Sequence, residues 1–406
     1  MDSFAPPSRV HTGRVAIVYG RAPGIGGLGQ AVSAAITALA DGKREVYALG
    51  PSTTIPWSLP GGTPCAIWKQ SPAVHWPSWR PWRRESSLNL DRDRHLGRWA
   101  TQEVQKLRPQ SCYLYTSVAL ETLHWASAEG VATVLENPNG HIANFHQIWQ
   151  RESERWFGKP VHRDLALKTV ARVEEEYRLA ERVRVYSEWA RRSMLSHGVA
   201  ADKIHVLRET VNLERFRPAA IRPKPEGPLR ICYVGSLDLR KGFVYLLQAI
   251  RRVGARHFQL RIAGAANDRD CARLYARESA GLQVECVSAD SFPVYQRAEL
   301  LAVPSLEDGL PFSLLEGLAC GLPAIVTDES GAAECVRPGS SGWVVPAAKV
   351  EPIARALEEA LERRGDLRSM GEQARSDVER YAGAGQLQQL SEWYYSHSST
   401  ETSLRR

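Results

Sequence analysis

Short β-branched stretches alternate with helical stretches in two separate series, and this alternation constrains the fold more than any other sequence feature. The first series begins at residues 14–19 (RVAIVY) and the second at residues 229–250 (LRICYVGSLDLRKGFVYLLQAI). Residues 218–228 lie between them and include four prolines, which is typical of a linker. Strands that alternate with helices form parallel sheets covered by helices. The sequence therefore predicts an α/β protein of two domains, for which 406 residues are sufficient.

Composition indicates an ordinary globular protein with a substantial core, since 43% of the residues are hydrophobic and 24% are charged. No apolar run approaches the roughly 18 residues of a membrane span, and the first residues (MDSFAPPSRVHTGR) lack the apolar core of a secretory signal. The seven cysteines form no Cys-x-x-Cys pair, so we expect reduced thiols and a cytoplasmic location. A net charge of +7 allows attraction to phosphates or to an anionic membrane surface without specifying which.

Residues 304–323 (PSLEDGLPFSLLEGLACGLP) predict a loop and a short helix after a strand at 299–303. The turn falls at Asp308-Gly309, and the helix is indicated by apolar residues at helical spacing: Phe312, Leu315, Leu318 and Ala319. The first N–H groups of a helix have no partner within it, and they carry a partial positive charge. Such a helix start suits a diphosphate.

Two acids flank this helix start. Asp308 precedes the helix and Glu316 lies inside it, with seven residues between them. Carboxylates do not bind phosphate, but they accept hydrogen bonds from the hydroxyls of a sugar or a ribose. An anion site flanked by two hydroxyl acceptors suits a sugar nucleotide, whereas an ordinary strand-loop-helix unit with two solvated acids remains the alternative.

The segment resembles the acid-x7-acid signature of retaining nucleotide-sugar glycosyltransferases of the family 4 type. The first acid of that signature is more often Glu, so Asp308 is a departure. The resemblance implies that Glu316 accepts hydrogen bonds from the ribose hydroxyls of the donor and that Asp308 accepts them from hydroxyls of the transferred sugar.

A second similarity lies in the loop at residues 235–242, which resembles the family motif Gly-Arg-Leu-x-x-x-Lys-Gly. Lys241 and Gly242 match, whereas Ser236 stands where the family often has Arg. The resemblance implies that Lys241 faces the donor diphosphate as a point charge, with Arg240 as a candidate to replace the missing cation. A surface lysine at a helix start is the alternative, although cations are disfavoured at that end of a helix.

The first strand is followed by a glycine-rich loop, GRAPGIGGLG, with a helix expected from Gln30. A G-x-G-x-x-G pattern is formally satisfied by Gly24, Gly26 and Gly29. It fits a dinucleotide site poorly, because three residues separate Gly20 from Gly24 and the next strand (45–49) carries no acid for a ribose. In the resembled family a Gly-Gly loop lies near the donor phosphates, and Gly26 and Gly27 take that place here; a plain strand-to-helix turn remains the alternative.

His141 follows a predicted strand at 132–135, where open α/β sheets usually bind ligands. The resemblance implies that this histidine borders the donor sugar and contacts a sugar hydroxyl or the leaving phosphate. A histidine that only caps the loop is the competing interpretation.

Residues 57–99 are rich in tryptophan and arginine. This region holds half of the 12 tryptophans, at positions 57, 68, 76, 79, 82 and 99, and prolines lie between them. Trp and Arg together suit a peripheral membrane contact or a surface on which an acceptor sugar stacks. A proline-rich loop whose tryptophans pack on the domain is the interpretation we favour. No nucleic-acid recognition module accompanies the region.

The resemblance implies a GT-B fold, in which two Rossmann-like domains face each other across a cleft and a C-terminal helix crosses back to the first domain. We place the acceptor-side domain at residues 1–217, the linker at 218–228, the donor domain at 229–382 and the returning helix and tail at 383–406.

The leading hypothesis is a retaining, metal-independent hexosyltransferase that moves a sugar from a UDP- or GDP-sugar to a hydroxyl of a glycan, a glycolipid or a small molecule. An Asp-x-Asp triplet occurs at Asp91-Arg92-Asp93, but no strand end lies beside it. The alternatives are a non-catalytic sugar-nucleotide binding protein and a nucleotide-dependent oxidoreductase; oligomeric state is not predicted. The proposed catalytic residues are His141, Lys241 and Asp308. The proposed donor-binding residues are Gly26, Gly27, Gly235, Ser236, Arg240, Lys241, Asp308, Gly309, Leu310, Pro311, Phe312, Ser313 and Glu316.

Overall fold

The structure is a computed structural model, and it describes most of the chain. The described residues are 13–21, 26–40, 44–51, 66–71, 85–159, 163–220, 225–287, 290–381 and 384–396. Gly24 and most of the tryptophan- and arginine-rich region lie outside this set, so their predicted roles stay predictions.

Strands and helices alternate along the described chain. The strands are β1 (Arg14–Val18), β2 (Glu45–Gly50), β3 (Ala66–Gln70), β4 (Ser111–Tyr115), β5 (Ala132–Glu136), β6 (Arg182–Val185), β7 (Ile204–Val206), β8 (Leu229–Val234), β9 (Phe258–Ala263), β10 (Val284–Val287), β11 (Leu300–Val303), β12 (Ala324–Thr327) and β13 (Gly342–Val345). The helices are α1 (Gly26–Leu39), α2 (Glu85–Leu107), α3 (Leu120–Glu129), α4 (Ile142–Phe157), α5 (Arg163–Leu179), α6 (Glu188–Ser196), α7 (Phe243–Val253), α8 (Arg269–Ser279), α9 (Phe292–Gln296), α10 (Phe312–Ala319), α11 (Val350–Glu362), α12 (Leu367–Glu379) and α13 (Ala384–Ser396).

The chain forms two compact units that are each discontinuous in sequence. The first unit contains residues 1–137, 167–184 and 387–406, and the second contains residues 138–166 and 185–386. The continuous domain limits given above remain a prediction.

The first unit is built on a parallel sheet in which six of its strands follow the order β3-β2-β1-β4-β5-β6. Its central strands are buried and almost continuously apolar, as expected for strands covered on both faces. Helix α13 belongs to this unit from residue 387 onward: the Tyr394 hydroxyl lies 2.7 Å from the Ser111 hydroxyl, and the Arg182 guanidinium lies 4.9 Å from the Trp393 ring. The expected return of the last helix to the first unit is confirmed.

Helix α1 begins at Gly26, four residues earlier than the expected start at Gln30. Each glycine in a helix interior costs about 1 kcal/mol relative to alanine, which is why the pattern favoured a loop. Gly29 is buried, so tertiary packing overrides this propensity.

The second unit is built on a parallel sheet with the order β10-β9-β8-β11-β12-β13. Helices α7, α8 and α11 share one hydrophobic core with this sheet. Strands β8 and β11 are direct neighbours in parallel orientation, so the loops that follow them emerge at the same edge. This adjacency brings the loop at 235–242 beside the segment at 304–311.

Candidate active site

The loop after β8 is held by a network centred on Asp238. Its carboxylate accepts hydrogen bonds from the Lys241 backbone N–H at 3.0 Å and from the Asn267 side-chain amide at 3.2 Å, and it also accepts from the Ser236 hydroxyl. Gly235 donates its N–H to Ala263 O at 3.0 Å. The loop therefore has one defined path into the short 3₁₀ turn that carries Arg240 and Lys241.

Gly242 ends this turn in a conformation that only glycine fits. Its φ is +68°, and a Cβ at this position would lie 1.9 Å from the carbonyl oxygen of Pro304. The Leu306 N–H donates to Arg240 O at 2.7 Å, which joins the two loops a second time. Close backbone contact thus explains the glycine of the Lys241-Gly242 pair.

Four charged side chains from the two loops form one cluster, Arg240, Lys241, Glu307 and Asp308, with a formal charge of zero. Lys241 Nζ contacts Asp308 Oδ2. Arg240 donates from NH1 to the Glu307 carbonyl oxygen at 2.7 Å and lies 3.3 Å from Glu307 Oε2 and 3.8 Å from Asp308 Oδ2. The side chains of Lys241 and Arg240 are 21% and 13% exposed, so the cations keep limited access to solvent whereas Glu307 has none.

Burial and pairing set the protonation of this cluster. Burial raises the pKa of Glu307, while the Arg240 guanidinium opposes that shift. Burial also works to lower the pKa of Arg240, but the Glu307 and Asp308 carboxylates outweigh it and raise that pKa. Arg240 is therefore permanently charged, and its charge is paired with the carboxylates of Glu307 and Asp308.

The backbone at Asp308 and Gly309 is clamped by three other segments. Gly331 N–H donates to Asp308 O at 2.9 Å, and the Ser187 hydroxyl donates to Gly309 O at 2.6 Å. A Cβ on Gly309 would lie 2.0 Å from the Pro138 carbonyl oxygen. The segment 138–166 of the second unit is thus packed directly against the turn that carries Asp308.

Helix α10 starts at the end of this turn. Its N-cap residue is Pro311, whose side chain cannot accept a hydrogen bond from the first backbone N–H groups of the helix. Leu310 and Pro311 are buried, whereas Phe312 and Ser313 are half-buried. The expected helix start after Asp308-Gly309 is confirmed, and its donor-binding role remains a proposal.

Glu316, one turn into α10, is buried and oriented by two hydroxyl donors. Its Oε2 accepts from the Tyr295 hydroxyl at 2.8 Å and from the Ser291 hydroxyl at 3.1 Å. Burial, followed by the neighbouring Glu316 carboxylate, raises the pKa of Tyr295, so the phenol keeps its proton and donates. These bonds hold the carboxylate in one orientation.

His141 caps helix α4 and is buried. The ring atom Nδ1 accepts a hydrogen bond from the Ala143 N–H at 3.2 Å, and the backbone N–H of His141 donates to the Ser193 hydroxyl at 2.9 Å. Burial, and then the stacked His197 ring at 4.3 Å, lowers the pKa of His141 to about 4. The ring is neutral at pH 7, and because Nδ1 accepts, the ring proton lies on Nε2. His141 is therefore a neutral donor at Nε2, and the capping role considered above is also real.

The neutral state of His141 predicts a pH dependence of stability. In the unfolded chain the histidine pKa is about 6.5, so between pH 6.5 and pH 4 the unfolded chain binds a proton that the folded chain does not. The free energy of unfolding should fall by about 3 kcal/mol across this window and should not change for this reason above it. Urea unfolding at pH 7 and pH 4 measures the effect.

The matched control is His141→Asn, because asparagine is a good N-cap and does not titrate. The wild-type protein should lose about 3 kcal/mol more than this variant on acidification. Equal losses in the two proteins would show that His141 does not stay neutral in the folded state.

Glu307 is the site residue that the sequence analysis missed. Its Oε1 accepts from the Gly140 N–H at 2.8 Å, which links the His141 segment to the charged cluster. Neither the acid-x7-acid signature nor the Lys241 loop includes this position.

Gly26 and Gly27 belong to the first unit, where they open α1.

Among the described residues, no group of three or more His, Cys, Asp or Glu side chains is arranged to hold a metal ion. No helix within the same described residues has the length and apolar character needed to cross a bilayer.

Comparison with solved structures defines the fold class. The chain is similar to sucrose-phosphate synthase from Thermosynechococcus elongatus, with a TM-score of 0.74 and 18% identity, covering 95% of this chain and 98% of the other. It is also similar to Anabaena HepE in complex with UDP-glucose, with a TM-score of 0.66 and 13% identity, covering 95% and 100%. The protein therefore has the GT-B fold, which confirms the predicted fold class.

Comparison with known sequences identifies the second half more closely. Residues 216–377 match the family Glycosyl transferases group 1. The putative glycosyltransferase EpsD of Bacillus subtilis is 26% identical over 220 residues, which is 50% of this chain and 57% of EpsD. The putative colanic acid biosynthesis glycosyltransferase WcaL of Escherichia coli K12 is 31% identical over 186 residues, or 43% and 44% of the two chains. The chain spans about half the length of the curated relatives it matches. The resemblance to glycosyltransferases inferred from the motifs is confirmed.

Proposed function

We propose that the protein is a retaining glycosyltransferase that moves a sugar from a nucleoside-diphosphate sugar to a hydroxyl acceptor without a metal ion. The observation that carries the proposal is the contact between Lys241 and Asp308. These residues are 67 positions apart, and they belong to the two motifs that suit a diphosphate and a sugar. A charged cluster assembled from both motifs is what a donor site requires.

The leaving diphosphate needs positive charge that is already in place. Lys241, Arg240 and the first amides of α10 supply it, and such fixed groups stabilise charge that develops in the transition state without further reorganisation. Because Glu307 holds Arg240 tightly, Lys241 is the cation that exchanges partners. The diphosphate replaces Asp308 at Lys241, and Asp308 is then available to accept hydrogen bonds from the sugar.

The reaction breaks the bond between the anomeric carbon and the diphosphate oxygen and forms one from that carbon to the acceptor oxygen on the same face. The leaving phosphate oxygen takes the proton of the acceptor hydroxyl. His141 donates from Nε2 to a sugar hydroxyl or to the leaving phosphate, and its neutral state allows it to do so throughout the ordinary pH range.

Glu316 is proposed to accept hydrogen bonds from the ribose hydroxyls, in the orientation that Tyr295 and Ser291 impose. The substitution Tyr295→Phe removes one of these donors and leaves the carboxylate less restrained. We expect nucleoside-diphosphate affinity to fall roughly 3- to 10-fold, in line with the loss of about 1 kcal/mol for one hydrogen bond. Isothermal titration calorimetry with the free nucleotide measures this.

Tyr245→Phe is the matched control, since the Tyr245 hydroxyl also donates to a buried carboxylate, that of Glu152 at 2.5 Å. Both variants should lose similar thermal stability, but Tyr245→Phe should bind nucleotide like the wild type. Equal losses of affinity in both variants would assign the effect to general destabilisation instead of Glu316.

The acceptor is proposed to be a growing glycan, because relatives are named for colanic acid and amylovoran biosynthesis. A UDP-sugar is the first donor to test, since HepE is described in complex with UDP-glucose. Peripheral membrane contact through residues 57–99 remains a prediction, and binding to anionic vesicles would test it.

The function is tested by thermal shift and donor hydrolysis across UDP-, GDP- and ADP-sugars. We expect one nucleotide class to stabilise the protein and its sugar to be released slowly or transferred. Stabilisation without any turnover would instead support a non-catalytic sugar-nucleotide binding protein. That second candidate is favoured by Ser236, whose hydroxyl is bonded to Asp238 and adds no charge to the cluster. The oxidoreductase alternative is not favoured, because the matching family is one of glycosyl transferases.

A further inference from the structure

Glu307 is a fully buried acid that connects two segments far apart in sequence. Its Oε1 accepts from the Gly140 N–H at 2.8 Å, and its Oε2 lies 3.3 Å from Arg240 NH1. The same guanidinium nitrogen donates to the Glu307 carbonyl oxygen at 2.7 Å. Glu307 therefore binds both the Asn139–Gly140 peptide, which precedes His141, and the guanidinium group of Arg240.

The segment around Gly140 is also fixed from its other side. A Cβ on Gly140 would lie 2.8 Å from the Ser193 hydroxyl and 2.9 Å from the Trp189 ring. The Arg240 guanidinium lies 5.4 Å from the ring of Phe145, on the helix that His141 caps. The Gly140 peptide consequently has little room to move while Glu307 holds its N–H.

A buried carboxylate is costly unless its charge is paired and its oxygens accept hydrogen bonds. Glu307 meets both conditions through Arg240 and Gly140, although the neighbouring Asp308 opposes its ionisation. A side chain that served packing alone would not need a charge here, and an apolar residue of similar size would cost less. The charge and the two acceptor oxygens therefore point to a role in positioning.

We propose that Glu307 is a positioning residue: it holds the Asn139–Gly140 peptide, and with it the adjoining His141, in a fixed place relative to Arg240 and Lys241, without itself contacting the donor. The inference rests on the proposed function and adds a residue to it. Glu307 acts through His141, so its effect belongs to the chemical step more than to donor binding.

Glu307→Gln is the sharpest variant because it keeps the size of the side chain but replaces one acceptor oxygen with a donor. The amide cannot accept from both Gly140 and Arg240 in the wild-type geometry, since its NH₂ group would face one of these donors. We expect kcat to fall at least 10-fold while the donor KM changes less than about 3-fold. Glu307→Asp keeps two acceptor oxygens and should recover part of the lost kcat.

A readout without substrate separates this inference from the proposed function. The pKa of His141 is measured by NMR titration of the histidine ring, assigned by its absence in His141→Asn. Release of the Asn139–Gly140 peptide in Glu307→Gln should expose the adjoining His141 ring and raise its pKa from about 4 toward 6.5. Simple removal of a nearby negative charge would lower it instead, so the sign of the shift decides.

Coupling to His141 gives a second test. In the His141→Asn background, Glu307→Gln should cost less than 3-fold in kcat, because the residue it positions is already lost. Independent, multiplicative losses, or an unchanged or lowered His141 pKa in Glu307→Gln, would overturn the inference. If Glu307→Gln fails to fold, Glu307→Asp serves in the same titration, where an unchanged His141 pKa counts against positioning. If the wild-type protein turned over no donor, the proposed function would be refuted. The NMR titration of His141 would still decide whether Glu307 positions this histidine.

Discussion

Lys241→Ala is expected to weaken the binding of a nucleoside diphosphate by roughly 10- to 100-fold. A hydrogen bond to a charged group contributes about 1.5–3 kcal/mol when it is lost from a partly buried site, which corresponds to this range. Lys241 is 21% exposed and contacts Asp308, so its ammonium group is accessible to a ligand. Calorimetric titration with the free nucleotide measures the effect without requiring turnover.

Two control variants separate the effect of where Lys241 lies from the effect of its charge on nucleotide affinity. Lys349→Ala removes one positive charge from an exposed position of the same unit and should leave affinity within 2-fold of wild type. Lys241→Arg keeps the charge but changes its shape and should give an intermediate affinity. Unchanged affinity in Lys241→Ala would mean that the phosphates bind elsewhere, and the site assignment would be wrong.

The fold could be predicted because its signal is local and repeated. Buried parallel strands are short apolar runs, and amphipathic helices between them are readable without knowledge of their partners. Helix α4 was missed, and the reason is visible in its packing. Its apolar residues are interrupted by the polar run 150–155 (QRESER), and its buried residues include Glu152. Glu152 accepts hydrogen bonds from Trp156 on the same helix and from Tyr245 on α7, and no periodic pattern reports the second contact.

The sequence placed Lys241 and Asp308 in one site only through the two motif resemblances, because it did not predict the order of the strands. In the structure each residue follows a strand, and those strands are neighbours in a parallel sheet, so their loops meet. Glu307 was not predictable by this route. Adjacent loop residues usually point in different directions, and its partner is a backbone N–H at Gly140, 167 positions away, which carries no side-chain signal. The pairing of Arg240 with Glu307 likewise required the structure.

Asp308→Asn is expected to lower kcat by roughly 100- to 1000-fold, the range seen when one group that stabilises a charged transition state is removed. The variant keeps the size of the side chain and loses its charge. A carboxylate accepts hydrogen bonds from sugar hydroxyls about twice as strongly as an amide does, and it favours the positive charge that develops on the sugar. The backbone clamps on Asp308 and Gly309 do not involve the carboxylate, so the turn should keep its shape.

Unlike Lys241→Ala, the variant Asp308→Asn should not bind the nucleotide more weakly than the wild type. Without its anionic partner, Lys241 binds a diphosphate with no competition, so affinity should stay equal to wild type or tighten by up to about 5-fold. Asp366→Asn, an exposed acid paired with Arg363, is the control and should alter neither quantity. If Asp308→Asn weakened nucleotide binding as much as Lys241→Ala does, the acid would be needed to place the lysine, and the partner exchange between Asp308 and the diphosphate would be refuted.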